Sequence, residues 1–470
     1  MKKKNIVGII SGILLFIVTT IFIVILKKLD VVPDKYFMLL VAVSYIVTII
    51  TDIFLFISSD NIVFKLFKGL AYVVTILMIV GYSYGIHYLN KTTNFMNNIN
   101  VIKKEVTSYY IIVMKDSKYD EISDLYGKSL TYYEGTGEEV LSKIKLELNY
   151  STVKNTDSLK DRLYTAKTDS ILVSDLIKED LEEKYTDFSE RTRVLKTIDI
   201  TSDVEDITKK VSIKNTPFNV LISGMDSYGT INKTTRNDVN MIATVNPNTN
   251  KVLLTSIPRD YYVQLHGKTG YKDKLTHAGI YGINTVVQTI EDLFGIDINY
   301  YVRVNFTTVE SLVNTIGPIE IYSDKAMSLD GCKYVVGTNT VNGKCALRFA
   351  RERHSYVEGD NHRIKNQQEV IKGIFNKLSK SAMVVTDYTS ILDSLDGKFA
   401  TNMDMKDITA FIKYELEDIT KYEILDTQVT GTGSMELTYS YPHQKLYVMF
   451  PNEQSVESAK EYINKISNEK

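Results

Sequence analysis

The stretch FNVLISGMDSYGTINKTTRNDVNMIATVNPNTNKVLLTSIPRD, residues 218–260, decides the fold class of this 470-residue chain. It holds three short apolar runs, FNVLIS, VNMIATV and VLLTSIP, separated by polar, turn-rich segments. Runs of that kind read as strands. Charge gathers at their ends. Asp226 follows the first run, Arg236 and Asp238 precede the second, and Arg259 follows the third. Loops at strand ends are where ligand-binding groups collect. Two carboxylates and two arginines suit a divalent cation with a phosphate group, because Mg2+ takes carboxylate oxygens and guanidinium groups take phosphate oxygens. Ordinary surface ion pairing, for example Asp226 with Arg236, is the other reading of the same residues.

Downstream, strand and helix patterns alternate. A glycine-containing loop, DKLTHAGIYG, covers residues 273–282. An amphipathic helix follows over 284–294, with Val286, Val287, Ile290, Leu293 and Phe294 on one face. Its apolar face is either plain core or the lining of a slot for a lipid chain. Residues 299–305 read as a strand, 307–316 as a helix opened by a hydroxyl cap, and 319–322 as another strand. This order predicts an α/β fold, a central mixed β-sheet with helices on both faces. Beyond residue 378 the pattern gives helices over 407–417 and 455–466, and strands over 423–429 and 446–450.

Four of the ten arginines, Arg348, Arg351, Arg353 and Arg363, fall in RFARERHSYVEGDNHRIKNQ, residues 348–367. If 346–353 is extended, Arg351 and Arg353 share one face and Arg348 lies on the other. Residues 361–378 read as a helix, which places Arg363 and Gln367 on one face at its N-terminal end, where the helix dipole favours an anion. Two arginines on one side and Arg363 with Gln367 on the other would clamp a pyrophosphate. A solvated charged loop is the alternative.

Upstream, residues 107–208 alternate short strand-like and helix-like runs and predict a small accessory α/β domain. Strands are expected at 107–115 and 170–174, and helices at 138–148, 158–166 and 176–185, the last one acidic. Residues 91–106 read as a polar stalk. Residues 1–90 hold three apolar runs, 6–26, 36–57 and 69–89, each long enough to cross a bilayer as a helix. Lys2, Lys3 and Lys4 favour a cytoplasmic N-terminus, although Lys27, Lys28 and Lys35 in the first loop pull the other way. Three spans from an inside start put everything after them outside. That compartment permits a disulfide between Cys332 and Cys345 across a hairpin, with two unpaired thiols as the alternative. The formal net charge of −2 gives no global field to attract nucleic acid.

In order, LISGMD, RNDVNMI, NPNT…SIPRDYYV, DKLTHAGIYG, INYYVRVNF, FARER and GDNHRIKNQQ resemble the motifs of the LytR-CpsA-Psr family of cell-wall glycopolymer ligases. The resemblance covers residues 218–378, and the three-span anchor with a middle domain is most similar to the capsule-assembly branch. It implies a cell-membrane protein with extracytoplasmic domains (209–470 being the catalytic one). Such a protein moves a glycan from a polyprenyl pyrophosphate onto peptidoglycan with Mg2+ or Mn2+. By motif, the metal-associated carboxylates fall on Asp226 and Asp238, and these with Arg236 and Arg259 form the catalytic set. The pyrophosphate-binding residues fall on Arg236, Arg259, Arg351, Arg353, Arg363 and Gln367. Two departures stand out. The family's common Arg-Ser-Asp-Thr is Arg236-Asn237-Asp238-Val239 here, and its Lys-Ile-Asn-Ala is Lys274-Leu275-Thr276-His277. No general base is assigned, although His277 and His354 are candidates. A polyprenyl-pyrophosphate phosphatase, or a non-catalytic lipid-binding regulator or attenuator, would use the same residues.

Overall fold

The computed structural model describes residues 5–98, 102–225, 227, 230–356, 359–380, 388–417 and 422–470. Three helices open the chain: α1 (Ile6–Leu29), α2 (Asp34–Phe56) and α3 (Ile62–Asn98). All three are long and apolar enough to span a bilayer. Helices in lipid gain nothing from hiding apolar surface, so they associate through close contact of small residues. A Cβ at Gly8 or Gly12 of α1 would collide with Leu55 or Phe56 of α2. Residues 91–98, expected within a polar stalk, continue α3 instead. That segment contains neither Gly nor Pro to stop the helix.

The loop joining α1 to α2 is tied to the C-terminal domain. Lys413 lies 3.2 Å from both Asp30 and Asp34, and Lys27 lies 3.5 Å from Asp34. The first loop and the folded domains therefore share one end of the helix bundle. The lysines that blurred the topology reading have acidic neighbours in the same loop.

The accessory domain is a five-stranded mixed sheet in the order β3-β2-β4-β1-β5. Its elements are β1 (Lys104–Met114), β2 (Ser129–Tyr133), α4 (Glu138–Lys143), β3 (Asn149–Val153), α5 (Asp157–Tyr164), β4 (Ser170–Ser174), α6 (Asp175–Lys184), α7 (Phe188–Arg191) and β5 (Thr192–Asp203). The helix expected over 138–148 is shorter, six residues ending at Lys143. Strand β1 also reaches the next domain. Val106 receives Thr234 N–H and donates its own N–H to Asn232, both at 2.9 Å. Beside it, the Glu105 carboxylate accepts the Ile283 N–H at 3.0 Å and pairs with Arg303. Glu105 and Arg303 are both buried, with 4% and 1% of their surface exposed.

The third domain is built on a six-stranded mixed sheet. Its central three strands are β6 (Phe218–Met225), β7 (Asn237–Asn246) and β8 (Lys251–Ile257). A short pair, β9 (Tyr262–Val263) and β10 (Asp273–Lys274), leads into a 3-10 turn at Leu275–Tyr281 and then α8 (Ile283–Phe294). Next come β11 (Tyr300–Val304) and α9 (Phe306–Ile316), which is capped by the Asn305 side chain with Thr308 reciprocating. The cap is thus an amide rather than a hydroxyl.

Side chains alternate across a strand, and the core divides accordingly. Leu221, Ile242 and Leu253 face α8 and the C-terminal α14 (Glu453–Asn468). Val220, Met241, Ala243 and Leu254 face the opposite side, where Ile371 and Phe411 pack. Helices therefore cover both faces. Val286, Val287, Ile290 and Phe294 of α8 are core, packed on the sheet.

A satellite layer follows: β12 (Ile319–Ser323), β13 (Met327–Leu329), β14 (Cys332–Tyr334), β15 (Gly337–Val341), α10 (Gly343–Arg351), α11 (Asp360–Lys380) and α12 (Tyr388–Leu395). The remaining elements are β16 (Phe399–Thr401), α13 (Met405–Glu417), β17 (Glu423–Gln428), β18 (Gly431–Leu437) and β19 (Lys445–Pro451). Cys332 and Cys345 form a disulfide. It does not cross a hairpin, because β14 pairs with β13 and β15 with β12. It ties β14 to the first turn of α10.

Candidate active site

The site forms where three strand ends meet. Strand β7 runs antiparallel to both β6 and β8, pairing Met225 with Asn237 and Asn240 with Ile257. The end of β6, the start of β7 and the end of β8 therefore lie side by side at one end of the sheet. That register brings Asp238 and Arg259 together although 21 residues separate them. Asp226, expected here as a catalytic and metal-associated carboxylate, lies outside the described residues.

Asp238 is the centre. Its Oδ2 accepts from Arg259 Nη1 at 2.7 Å and from Arg363 Nη1 at 3.5 Å. Its Oδ1 accepts from the Thr276 hydroxyl at 3.2 Å. The side chains of Asp238, Arg259 and Arg363 are all at least nine-tenths buried or close to it, at 10%, 11% and 7% exposure. Burial alone would raise the Asp238 carboxyl. The guanidiniums of Arg259, Arg363 and Arg236 outweigh it and hold the group well below the usual carboxylate range. Arg363 reaches this point from the first turns of α11. The adjacent Gln368 anchors that helix by donating to Ser256 Oγ and Thr427 O, both at 3.0 Å. Gln367 is half-buried, one turn beyond Arg363 on α11.

The two departures from the family pattern have structural roles. Asn237, standing where a serine is common, is buried. Its amide joins the Ser223 hydroxyl and the Asn240 amide, each at 2.6 Å. Thr276, standing at the Asn position, supplies the hydroxyl on Asp238. The 3-10 turn that carries it can lie against β7 because of Gly279, where a Cβ would collide with the Thr235 carbonyl. One residue on, His277 Nδ1 lies 2.7 Å from Asp273 Oδ1. Asp273 is held below the usual range. Burial raises it, but His277, Ser440 and the Lys274 N–H together lower it further.

The expected strand at 346–353 is a helix. Asn342 caps its N-terminus through the Cys345 N–H, and the Ala, Leu and Arg of KCALRFAR are good helix formers. The shared-face argument for Arg351 and Arg353 therefore fails. Arg351 ends α10 with its guanidinium 4.0 Å over the Phe306 ring. Phe306 in turn donates its N–H to Ser227, just past β6. Arg353 lies two residues further on in a turn, and Arg348 pairs with Asp330 at 3.0 Å. His354 sits beside Arg353, with 3.4 Å between their nitrogens.

Arg236 is placed differently from its neighbours. Its guanidinium meets three carboxylates of the accessory helix α6: Glu179 at 3.1 Å, Asp180 at 3.5 Å and Glu183 at 3.2 Å. Glu183 also takes Arg353 at 3.0 Å. Asp180 receives the buried Tyr441 hydroxyl. These contacts border a cavity of about 350 Å³ between the two domains, lined by Arg236, Arg259, Asp260, Lys274 and Arg353 of the later domain and by Asp157, Asp180, Glu183 and Lys184 of the accessory one. Its acidic wall was visible in the sequence only as an acidic helix. Which charge that helix faces is a tertiary fact.

Residues 184–461 match the LytR_cpsA_psr family. This chain belongs to the LytR-CpsA-Psr family. Among its relatives is a protein of Enterococcus faecalis named polyisoprenyl-teichoic acid–peptidoglycan teichoic acid transferase TagU. The two are 33% identical over 255 residues, which is 53% of this chain and 82% of the relative. The Bacillus subtilis protein of the same name is 35% identical over 231 residues, 48% of this chain and 72% of the relative. The crystal structure of B. subtilis TagU aligns at 28% identity with a TM-score of 0.43, covering 55% of this chain and 99% of that one.

Proposed function

We propose that this LytR-CpsA-Psr transferase moves a glycan from a polyprenyl pyrophosphate onto peptidoglycan, at the cavity beside Asp238. The carrying observation is the buried carboxylate Asp238 held among Arg259, Arg363 and Arg236, of which Arg236 and Arg259 also line the polar cavity. The Asp238 cluster has more guanidiniums than carboxylates, which suits an anion. In the proposed step, an acceptor sugar hydroxyl attacks the glycan-bearing phosphorus or the anomeric carbon. The hydroxyl proton departs, the new bond to oxygen forms, and a polyprenyl phosphate or pyrophosphate leaves. Negative charge builds on the leaving phosphate, and arginines already aimed at it lower the barrier by about two to four kcal/mol per donor.

The donor set fits Mg2+ in part. Asp238 Oδ1 accepts only at 3.2 Å from Thr276 and can offer an oxygen, and Mg2+ commonly takes one or two carboxylates with substrate phosphate. Asp226, next to Ser227, is the proposed second carboxylate. A metal there would neutralise phosphate charge. The three apolar helices and the accessory domain support the capsule-assembly branch, with the folded domains outside the cell membrane.

The test supplies a polyprenyl-pyrophosphate-linked glycan, peptidoglycan and Mg2+ to the full-length protein. A covalent glycan–peptidoglycan product is expected. Phosphate release without that product would make the protein a phosphatase. Lipid bound without turnover would make it a non-catalytic regulator.

A further inference from the structure

We infer that Glu183, supplied by the accessory domain, is a positioning residue of the transfer site, holding Arg236 and Arg353 side by side against the pyrophosphate. This rests on the proposed reading of the cavity. Glu179 and Asp180 also meet Arg236, and Glu183 is shared between Arg236 and Arg353. Arg236 precedes β7, and Arg353 stands in the turn after α10. Two adjacent guanidiniums repel each other. Glu183 sits between them and gives one oxygen to each, Oε2 to Arg236 Nη1 at 3.2 Å and Oε1 to Arg353 Nη2 at 3.0 Å. Burial would raise its carboxyl, but Arg236 and Arg353 hold it below the usual range, so it stays charged. A guanidinium has five N–H donors. Arg353 gives Glu183 a single Nη2 contact, and its guanidinium also faces the cavity.

The support beneath Glu183 is rigid. Helix α6 is capped by Ser174 and buries Leu181 in the accessory core. Tyr441, itself in that core, holds Asp180 one turn before Glu183. Strand β1 joins the accessory sheet to the residues just ahead of Arg236, through the backbone bonds of Val106 with Asn232 and Thr234. The carboxylate is therefore registered to the site from two directions. Glu183 also precedes the span matched to the family, which begins at residue 184.

The experiment uses the full-length chain in lipid nanodiscs, with a polyprenyl-pyrophosphate-linked disaccharide as donor and peptidoglycan as acceptor. Glu183→Ala should lower kcat about tenfold or more, since small misplacement of an aligned group costs up to about a hundredfold. Retention of polyprenyl pyrophosphate should persist, because Arg259 and Arg363 are untouched. Glu183→Gln, whose single amide oxygen keeps one of the two contacts, should recover part of the rate. Unchanged thermal unfolding of both variants excludes a folding defect. Wild-type or faster turnover by Glu183→Ala overturns the inference, and faster turnover would mean that Glu183 competes with the substrate. Arg363→Ala run in parallel separates the two readings. If it transfers at full rate, the pyrophosphate site itself is misassigned. If it is inactive while Glu183→Ala is normal, only the role of Glu183 fails.

Discussion

Two charge clusters lie next to each other in this molecule with opposite composition. At Asp238 one carboxylate sits among three guanidiniums. At Arg236 one guanidinium sits among three carboxylates. The first is buried within one domain, assembled by sheet register. The second spans two domains and is more open, with Glu183 about half exposed. Excess positive charge beside Asp238 leaves it ready for an anion. Excess negative charge around Arg236 uses that arginine to hold a partner helix. Arginines of one motif set thus meet different surroundings: Arg259 and Arg363 a carboxylate of their own domain, Arg236 also a helix of the preceding one.

The largest effect should come from Asp238→Asn. It leaves buried guanidiniums without their counter-ion, and breaking a buried pair costs about 3–5 kcal/mol. Thermal or denaturant unfolding measures it, and a variant of wild-type stability would mean that the cluster is not the closed unit described. Arg363→Ala should lower transfer about a hundred- to a thousandfold, the usual loss for one preorganised donor. Arg236→Ala should lower it only about tenfold, near 1.4 kcal/mol, because its charge is already engaged by α6. Equal losses in the two variants would erase the contrast.

Acid separates the clusters further. The carboxyls of Asp238 and Glu183 both lie below their unfolded values. The stability they contribute is therefore complete above the usual unfolded range of about pH 4, and is lost as pH falls through their folded values. Glu183, the less depressed and more exposed of the two, should release first. Interdomain contact followed by a fluorescent pair across α6 and α10 should loosen before the catalytic domain unfolds. The smallest effect belongs to Glu179→Gln. Removing one of three carboxylates around Arg236, with Asp180 and Glu183 still in place, should change stability by less than about 1 kcal/mol.

The three central strands of the sheet were legible because they are largely apolar runs with charge only at their ends. Asp238 and Arg259 could be placed from that pattern, and Arg363 from a helix whose apolar face was plain. Arg351 and Arg353 were misplaced because RFARER alternates in a way that suits a strand, while the capping Asn342 and the disulfide at Cys345 settle it as a helix. Glu179, Asp180 and Glu183 read as a charged helix and no more. Sequence periodicity says which face of α6 is polar, but not that arginines from a later domain meet it. Arg303 left a faint sign, a lone charge inside YYVRV, which a buried strand tolerates only with a counter-ion.

That counter-ion is Glu105, and it sets a limit on how the molecule can be divided. The boundary between residues 208 and 209 separates two sheets, yet it also separates Arg303 from Glu105 and the start of α8 from its acidic cap. Excising 209–470 would leave a lone cation sealed inside its own core. The unit of residues 209–470 is therefore borrowing part of its interior from the chain that precedes it, and the two should be inherited, expressed and unfolded as one piece.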